Sequence, residues 1–145
     1  MTIVAWDGKT LAADRQLTSG NTISSCKKLF RLDSGEIVGM AGEWGLCLQM
    51  LHWLSTTRSP ETFPEFQKET EAFVQVLVIT PKKEIFDFGR SPYPTKLEDK
   101  FAAIGSGAPY ALALMSKSFT AKQAVTVACR FDPNCGQGID TIQLK

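Results

Sequence analysis

The chain has 145 residues, 43% of them hydrophobic and 21% charged, with a formal net charge of +1. That length fits one domain with a real core, and the near-neutral balance leaves no electrostatic footprint for nucleic acid or a membrane surface. The longest apolar run, residues 73–79, is too short to span a bilayer; the start is polar rather than basic-then-apolar, so no signal peptide is expected.

The first predicted element is a hairpin. Thr2-Ile3-Val4-Ala5-Trp6 and Lys9-Thr10-Leu11-Ala12-Ala13-Asp14 flank the turn dipeptide Asp7-Gly8. Thr2 stands directly behind Met1 and is small enough for that methionine to be trimmed. Trimming leaves an amine and a hydroxyl on one residue, a nucleophile with its own base. An amine with an ordinary pKa of about 7.7–8.0 is partly neutral at physiological pH and can accept the hydroxyl proton. Threonine at position 2 is also common for no chemical reason, so its meaning depends on the rest of the chain. Asp14 returns to the neighbourhood of the N-terminus. It falls opposite Thr2 with a three-residue loop, whereas a two-residue loop puts Ala13 there; the sequence leaves both registers open.

A second hairpin is expected from residues 27–32 and 36–41 around Asp33-Ser34-Gly35. Alternation puts Lys28 with Phe30 and Leu32 on the apolar side. A lysine there must be paired or neutralised, because burying a lone charge is costly, and Asp14 is the candidate partner. The competing role is a lysine that snorkels out at the strand end. Gly39-Met40-Ala41-Gly42 then joins strand to helix, where backbone N–H groups can stabilise an oxyanion. Residues 43–56 have helical spacing with two apolar stripes, one of Trp44, Cys47, Leu48, Leu51 and Leu54, the other of Leu46, Met50 and Trp53. Such a helix is buried on both sides, within the subunit or against another. The single histidine, His52, sits on it with no motif around it, as a packed or surface residue.

Residues 58–71 are polar, with room for a short helix. Strands follow at 72–80 and 84–88 around Pro81-Lys82-Lys83, then a Pro-rich loop over 90–94. The segment 100–104 leads into Gly105-Ser106-Gly107 and a helix near Pro109. A last helix starts at Ala121 with Thr120 as N-cap, and a strand over 139–144 closes the chain. Strand runs alternating with helix pairs imply sheets covered by helix layers. The four cysteines, Cys26, Cys47, Cys129 and Cys135, lack C-x-x-C spacing and a histidine cluster. That argues against a metal site and for reduced thiols in a cytoplasm.

In this order the motifs resemble the proteasome β-subunit family of N-terminal nucleophile hydrolases, the bacterial peptidase HslV included. The resemblance spans nearly the whole chain. It runs through Thr2 and its hairpin, Asp14-Arg15-Gln16-Leu17-Thr18, the HslV-like Ser19-Gly20-Asn21-Thr22, Lys27-Lys28-Leu29, Gly39-Met40-Ala41-Gly42, Ala103-Ile104-Gly105-Ser106-Gly107, and Asp132-Pro133-Asn134-Cys135-Gly136. Cys135 stands where the family has a serine. The first hairpin and the region between Lys28 and Gly105 are shorter than in typical members, which trims the central helix pair.

The resemblance implies an α+β fold, the four-layer αββα sandwich, and a threonine endopeptidase without cofactor. In it Thr2 is the nucleophile, Lys28 held by Asp14 stabilises the deprotonated hydroxyl, and Gly42 N–H is the oxyanion donor. Ser106, Asp132 and Cys135 orient the amine. Met40 and Thr18 line the substrate site, with Met40 implying apolar side chains before the cleaved bond. The implied partners are a peptide or unfolded protein substrate, further copies in a homo-oligomeric ring with enclosed sites, and an ATPase unfoldase. The rival classes are a non-catalytic assembly subunit, disfavoured by the intact set Thr2, Asp14, Lys28 and Ser106, and a small-molecule amidase, disfavoured by the proteasome-like motif order.

Overall fold

The computed structural model describes residues 2–66 and 72–145. In chain order the strands of the first half are β1 (Ile3–Trp6), β2 (Thr10–Asp14), β3 (Gln16–Ser19), β4 (Thr22–Ser25), β5 (Leu29–Arg31) and β6 (Ile37–Gly42), followed by helix α1 (Trp44–Leu54). After a single 3₁₀ turn at Pro60–Thr62 come β7 (Val74–Ile79), β8 (Ile85–Phe88), β9 (Thr95–Leu97) and β10 (Ala102–Gly105). The helices α2 (Ala108–Met115) and α3 (Ala121–Phe131) and the strand β11 (Ile139–Gln143) complete the chain.

The strands form a four-stranded sheet ordered β10-β1-β2-β11, a five-stranded sheet ordered β5-β6-β7-β8-β9, and the separate β3-β4 hairpin. Every pairing is antiparallel. Alternation along each strand then sorts the apolar residues into three layers. Val4, Trp6, Leu11, Ala13, Ile37, Ala41, Leu77, Ile79, Ala102 and Ile104 meet between the sheets. Ile3, Ala5 and Ala12 turn the other way and pack on Ala111, Met115, Ala124, Val125 and Ala128 of α2 and α3. Val38, Met40, Val74, Val76 and Val78 pack on Cys47, Met50, Trp53 and Leu54 of α1. The result is the expected αββα sandwich. Each large side chain buried in it contributes about 1.5–3 kcal/mol. Gly39 lets the sheets approach, since a Cβ there would lie 2.4 Å from Val4 Cγ1.

Local chemistry explains the ends. Thr120 caps α3 by accepting from Gln123 N, and the Gln123 side chain accepts from Thr120 N, a reciprocal capping box. Asp7 Oδ1 accepts from Lys9 N and Thr10 N, and its Oδ2 from Ala121 N, which ties the first turn to α3.

Several expectations need correction. The first hairpin adopts neither register considered. Asp7 N bonds Thr10 O, so Gly8 (φ +96°) and Lys9 form the turn tip. Val4 then opposes Ala13, and the same register brings Asp14 opposite Ile3. Gly39, Met40 and Ala41 are not turn residues; they lie inside β6. The two stripes of α1 do not stay separate: Met50 and Trp53 of the second are buried against the sheet together with Cys47 and Leu54 of the first, whereas Leu48 of the first is 47% exposed. The reason is that an eleven-residue helix on one sheet needs one face, and that face runs through Cys47, Met50, Trp53 and Leu54. The expected helix pair between β6 and β7 is α1 and one 3₁₀ turn among the described residues; residues 67–71, the end of the predicted polar stretch, lie outside them. β3, β4 and β9 were not anticipated. They are short and mostly exposed, so no apolar alternation announces them. Among the described residues no helix is long and apolar enough to cross a membrane.

Candidate active site

Three chain segments converge at one end of the two sheets. Thr2 immediately precedes β1, Asp14 ends β2, and Lys28 immediately precedes β5. The Thr2 hydroxyl donates to Asp14 Oδ1, and Lys28 Nζ donates to Thr2 Oγ1 and to Asp14 Oδ1 at 3.0 Å. All three are buried, at 3%, 0% and 2% exposure. Asp14 Oδ1 also accepts from Ile3 N, and Oδ2 from Gln16 N and Gly136 N, each at 3.1 Å. A carboxylate with that many donors tolerates burial, and Lys28 Nζ, paired with it, has the Thr2 hydroxyl as a second acceptor. Lys28 lies just outside the strand, so its burial comes from this pairing rather than from alternation. Lys27 is exposed and rests over the Phe30 ring at 5.5 Å.

The loop after α3 supports the site from the side. Ser106 Oγ donates to Asp132 Oδ2 at 2.5 Å, and Asp132 Oδ1 accepts from Asn134 N at 2.8 Å. Burial alone would raise the Asp132 pKa, but hydrogen bonds from Ser106, Asn134 and the Cys135 thiol outweigh it and hold the carboxyl below its usual value. Gly105 (φ +94°) links this pair to Thr2, because a Cβ on it would fall 1.9 Å from the Thr2 carbonyl oxygen. Ser106 and Asp132 thus bond to each other, and reach Thr2 through the Gly105 backbone.

Thr2 and Lys28 open into a cleft of about 40 Å³ whose walls include Thr18, Met40, Gly42 and Trp44. Gly42 (φ +122°) has no room for a side chain: a Cβ would sit 2.1 Å from Phe73 O. The first-turn N–H groups of Gly45 and Leu46 are taken by the Glu43 carboxylate at 3.0 and 2.9 Å. The end of α1 is therefore capped internally, which leaves Gly42 rather than the helix N-terminus as the candidate oxyanion donor. A wider cavity of about 640 Å³, lined by Leu48, His52 and Trp53 among others, lies on the outer side of α1 and shares no residue with the Thr2 cleft.

Cys135 is buried, and the neighbouring Cys129 thiol together with that burial pushes its pKa up, while the Cys135 thiol holds that of Cys129 down. Burial pushes the Cys47 thiol up to about 12. Among the described residues no group of His, Cys, Asp and Glu side chains could hold a metal ion.

Two residues escaped the sequence reading. Gln16 is buried, donates to Pro133 O and Thr18 Oγ1 at 3.1 Å, and so ties β3 to the loop after α3. Its place two residues beyond Asp14 was the available signal. Trp44, the first residue of α1, was counted as a core stripe residue but also forms part of the cleft wall.

The fold is the one seen in HslV, and in sequence the chain is similar to proteasome β subunits. In sequence it is 24% identical to proteasome subunit beta 1 of Pyrobaculum arsenaticum, over 98% of this chain and 87% of the relative. It is 26% identical to proteasome subunit beta 1 of Thermococcus gammatolerans, over 98% and 86%. In structure it superposes on Thiobacillus denitrificans BPH with a TM-score of 0.73 at 20% identity, covering 100% and 99% of the two chains. It superposes on eukaryotic HslV from Trypanosoma brucei with a TM-score of 0.69 at 20% identity, covering 97% of each. No family model matches the sequence.

Proposed function

We propose that this protein is a threonine peptidase whose nucleophile is Thr2, set free by removal of Met1. The observation that carries the reading is the buried contact of the Thr2 hydroxyl with both Lys28 and Asp14 at the mouth of a cleft. The Thr2 amine, directly or through a water, takes the hydroxyl proton as Oγ1 bonds to the peptide carbonyl carbon. The Lys28 ammonium, fixed by Asp14, lowers the energy of the developing alkoxide. The carbonyl oxygen becomes an oxyanion that Gly42 N–H receives. Collapse of the tetrahedral species breaks the C–N bond, and the proton held by the amine goes to the leaving nitrogen. Water then hydrolyses the ester by the reverse proton path. Ser106 and Asp132, with Cys135 behind them, orient the amine, while Thr18 and Met40 hold the substrate.

The same reading implies one domain, a cytoplasmic setting, a ring of identical subunits enclosing the sites, and an ATPase unfoldase as a further partner. Met50 and Trp53 of α1 are buried within the subunit, so the ring rests on likeness to proteasome β subunits and HslV. A solved structure of the Thiobacillus protein holds epoxomicin, and that compound is the natural probe. Intact mass spectrometry should show loss of Met1 and, after incubation, addition of one epoxomicin. Thr2→Ala should fold normally, fail to react, and hydrolyse fluorogenic peptides at a rate orders of magnitude lower. Undiminished hydrolysis by folded Thr2→Ala would refute the assignment.

A further inference from the structure

Two residues that wall the Thr2 cleft, Met40 and Thr18, stand on different supports. Met40 is fully buried within β6, inside the five-stranded sheet. Thr18 belongs to β3, which among the described residues pairs with β4 alone. A two-stranded hairpin is marginally stable by itself, so the wall that carries Thr18 has to be held from outside. Backbone bonds of Arg15 to Gly136 O and of Gln16 to Asp14 fix the base of the hairpin. The Gln16 side chain extends that hold to Thr18. Its Nε2 donates to Thr18 Oγ1 and to Pro133 O, both at 3.1 Å, and the residue is 6% exposed. Gly136 leaves the room: a Cβ there would stand 2.8 Å from Gln16 Oε1. Beyond its chain neighbours, nothing among the described residues but the Gln16 side chain lies within 4 Å of that point. Pro133 and Gly136 bound a short segment strung between two carboxylates of the site. Asn134 N donates to Asp132 Oδ1 at 2.8 Å, and Gly136 N to Asp14 Oδ2 at 3.1 Å. A primary amide has two N–H donors. Here one goes to the cleft wall and the other to the segment that meets Asp132 and Asp14.

We propose that Gln16 is a positioning residue that couples the seating of a peptide against Thr18 to the alignment of the carboxylates around Thr2. This deepens the peptidase reading and rests on it. The coupling is mechanical. A peptide pressed against β3 fixes Thr18, the two bonds of one amide carry that restraint to Pro133, and the segment that follows meets Asp132 at one end and Asp14 at the other. Such a coupling is reciprocal, so a segment held in place also favours a β3 set to receive peptide. A reacting group misplaced by about 1 Å costs on the order of 100-fold in rate. Cutting the link, which loosens rather than displaces the site, should cost at least about tenfold in kcat/KM. It should lower kcat as well as raise KM, which separates it from a contact that only holds substrate.

The test is a double-variant cycle on one fluorogenic peptide, with folding of each protein checked by circular dichroism. Gln16→Met keeps the length of the side chain and loses both N–H donors; Thr18→Val keeps the shape and loses the acceptor. Each should lower kcat/KM at least about tenfold, with kcat and KM both moving. The double variant should lie within about twofold of Gln16→Met, because the two changes cut one link. Gly136→Ala crowds the amide without removing a donor, so it cuts the link with Gln16 in place and should lose activity in the same direction. Folded Gln16→Met and Gly136→Ala proteins with unchanged kcat and KM, or losses that multiply in the double variant, would overturn the coupling while leaving the peptidase reading intact. A second readout needs no turnover. In Thr2→Ala protein, hydrogen exchange at Asn134 N and Gly136 N should slow when an acetylated peptide amide is added to saturation, followed by anisotropy of a labelled copy. It should not slow in Thr2→Ala carrying Gln16→Met. Slowing in the first protein alone, with no hydrolysis by the wild type, would sink the peptidase reading and keep the coupling. Equal slowing in both, or none in either, would reject the coupling.

Discussion

Gly105→Ala tests how closely the nucleophile depends on backbone packing. A Cβ at this position would stand 1.9 Å from the Thr2 carbonyl oxygen and 2.7 Å from its carbonyl carbon. Both are backbone atoms, so no side-chain rotation relieves the contact. Raising 1.9 Å to even 3.0 Å requires a displacement of about 1.1 Å, and the backbone that must move carries the proposed nucleophile. A misplacement of about 1 Å in a reacting group costs on the order of 100-fold in rate. The residue also has φ +94°, where a non-glycine residue costs about 1–3 kcal/mol. For a domain of this size that is a fall in Tm of roughly 3–12 °C. The expected phenotype is therefore a folded, moderately destabilised protein whose kcat/KM drops about 100-fold or more. Gly89→Ala is the control, since a Cβ there meets nothing within 4 Å, and it should lie within about 0.5 kcal/mol of wild type. Peptide hydrolysis and calorimetry on the three proteins decide the matter. Gly105→Ala with kcat/KM within twofold of wild type would show that the close approach of Gly105 to Thr2 does not govern the nucleophile's position.

Lys28→Met and Asp14→Asn should each impair turnover severely, and the double variant should be little worse than Lys28→Met, because the two act on one hydroxyl. Lys27→Ala, which removes an exposed side chain, should be mild; rate measurements on the set that showed Lys27 to be the damaging loss would refute the pairing. Asp132 contributes a pH signature. Its carboxyl titrates below the ordinary value of about 3.9, so the folded state binds its proton less readily than the unfolded chain. The stabilisation is present above pH ~4 and is lost as pH falls through the lowered folded value. Urea unfolding should accordingly show wild type more stable than Asp132→Asn at pH 6, with the gap closing near pH 3; a gap independent of pH would contradict the sign.

Much of the framework was legible in the residues. Asp7-Gly8, Thr120 and the apolar runs of β6 and β7 announce elements through local turn chemistry, capping and composition, which need no distant partner. The same kind of signal singled out Lys28, because a charge among apolar neighbours demands a counter-charge wherever the chain goes. The exposed strands β3, β4 and β9 carried no such signal. On α1 the spacing gives the angle between two apolar stripes but not which of their residues the sheet will cover.

The sequence by itself determined which residue types were available for chemistry, their order, and the alternation that makes two sheets with helices outside. Only the tertiary structure decided that Asp14 opposes Ile3, that Gln16 braces the loop after α3, and that Trp44 faces the cleft. The physical reason is that register depends on which hydrogen bonds the turn closes, and a cleft wall depends on how segments far apart in sequence come together. A single Asp7 side chain, by accepting two N–H bonds in the turn, moves the whole second strand and with it the carboxylate that holds the Thr2 hydroxyl.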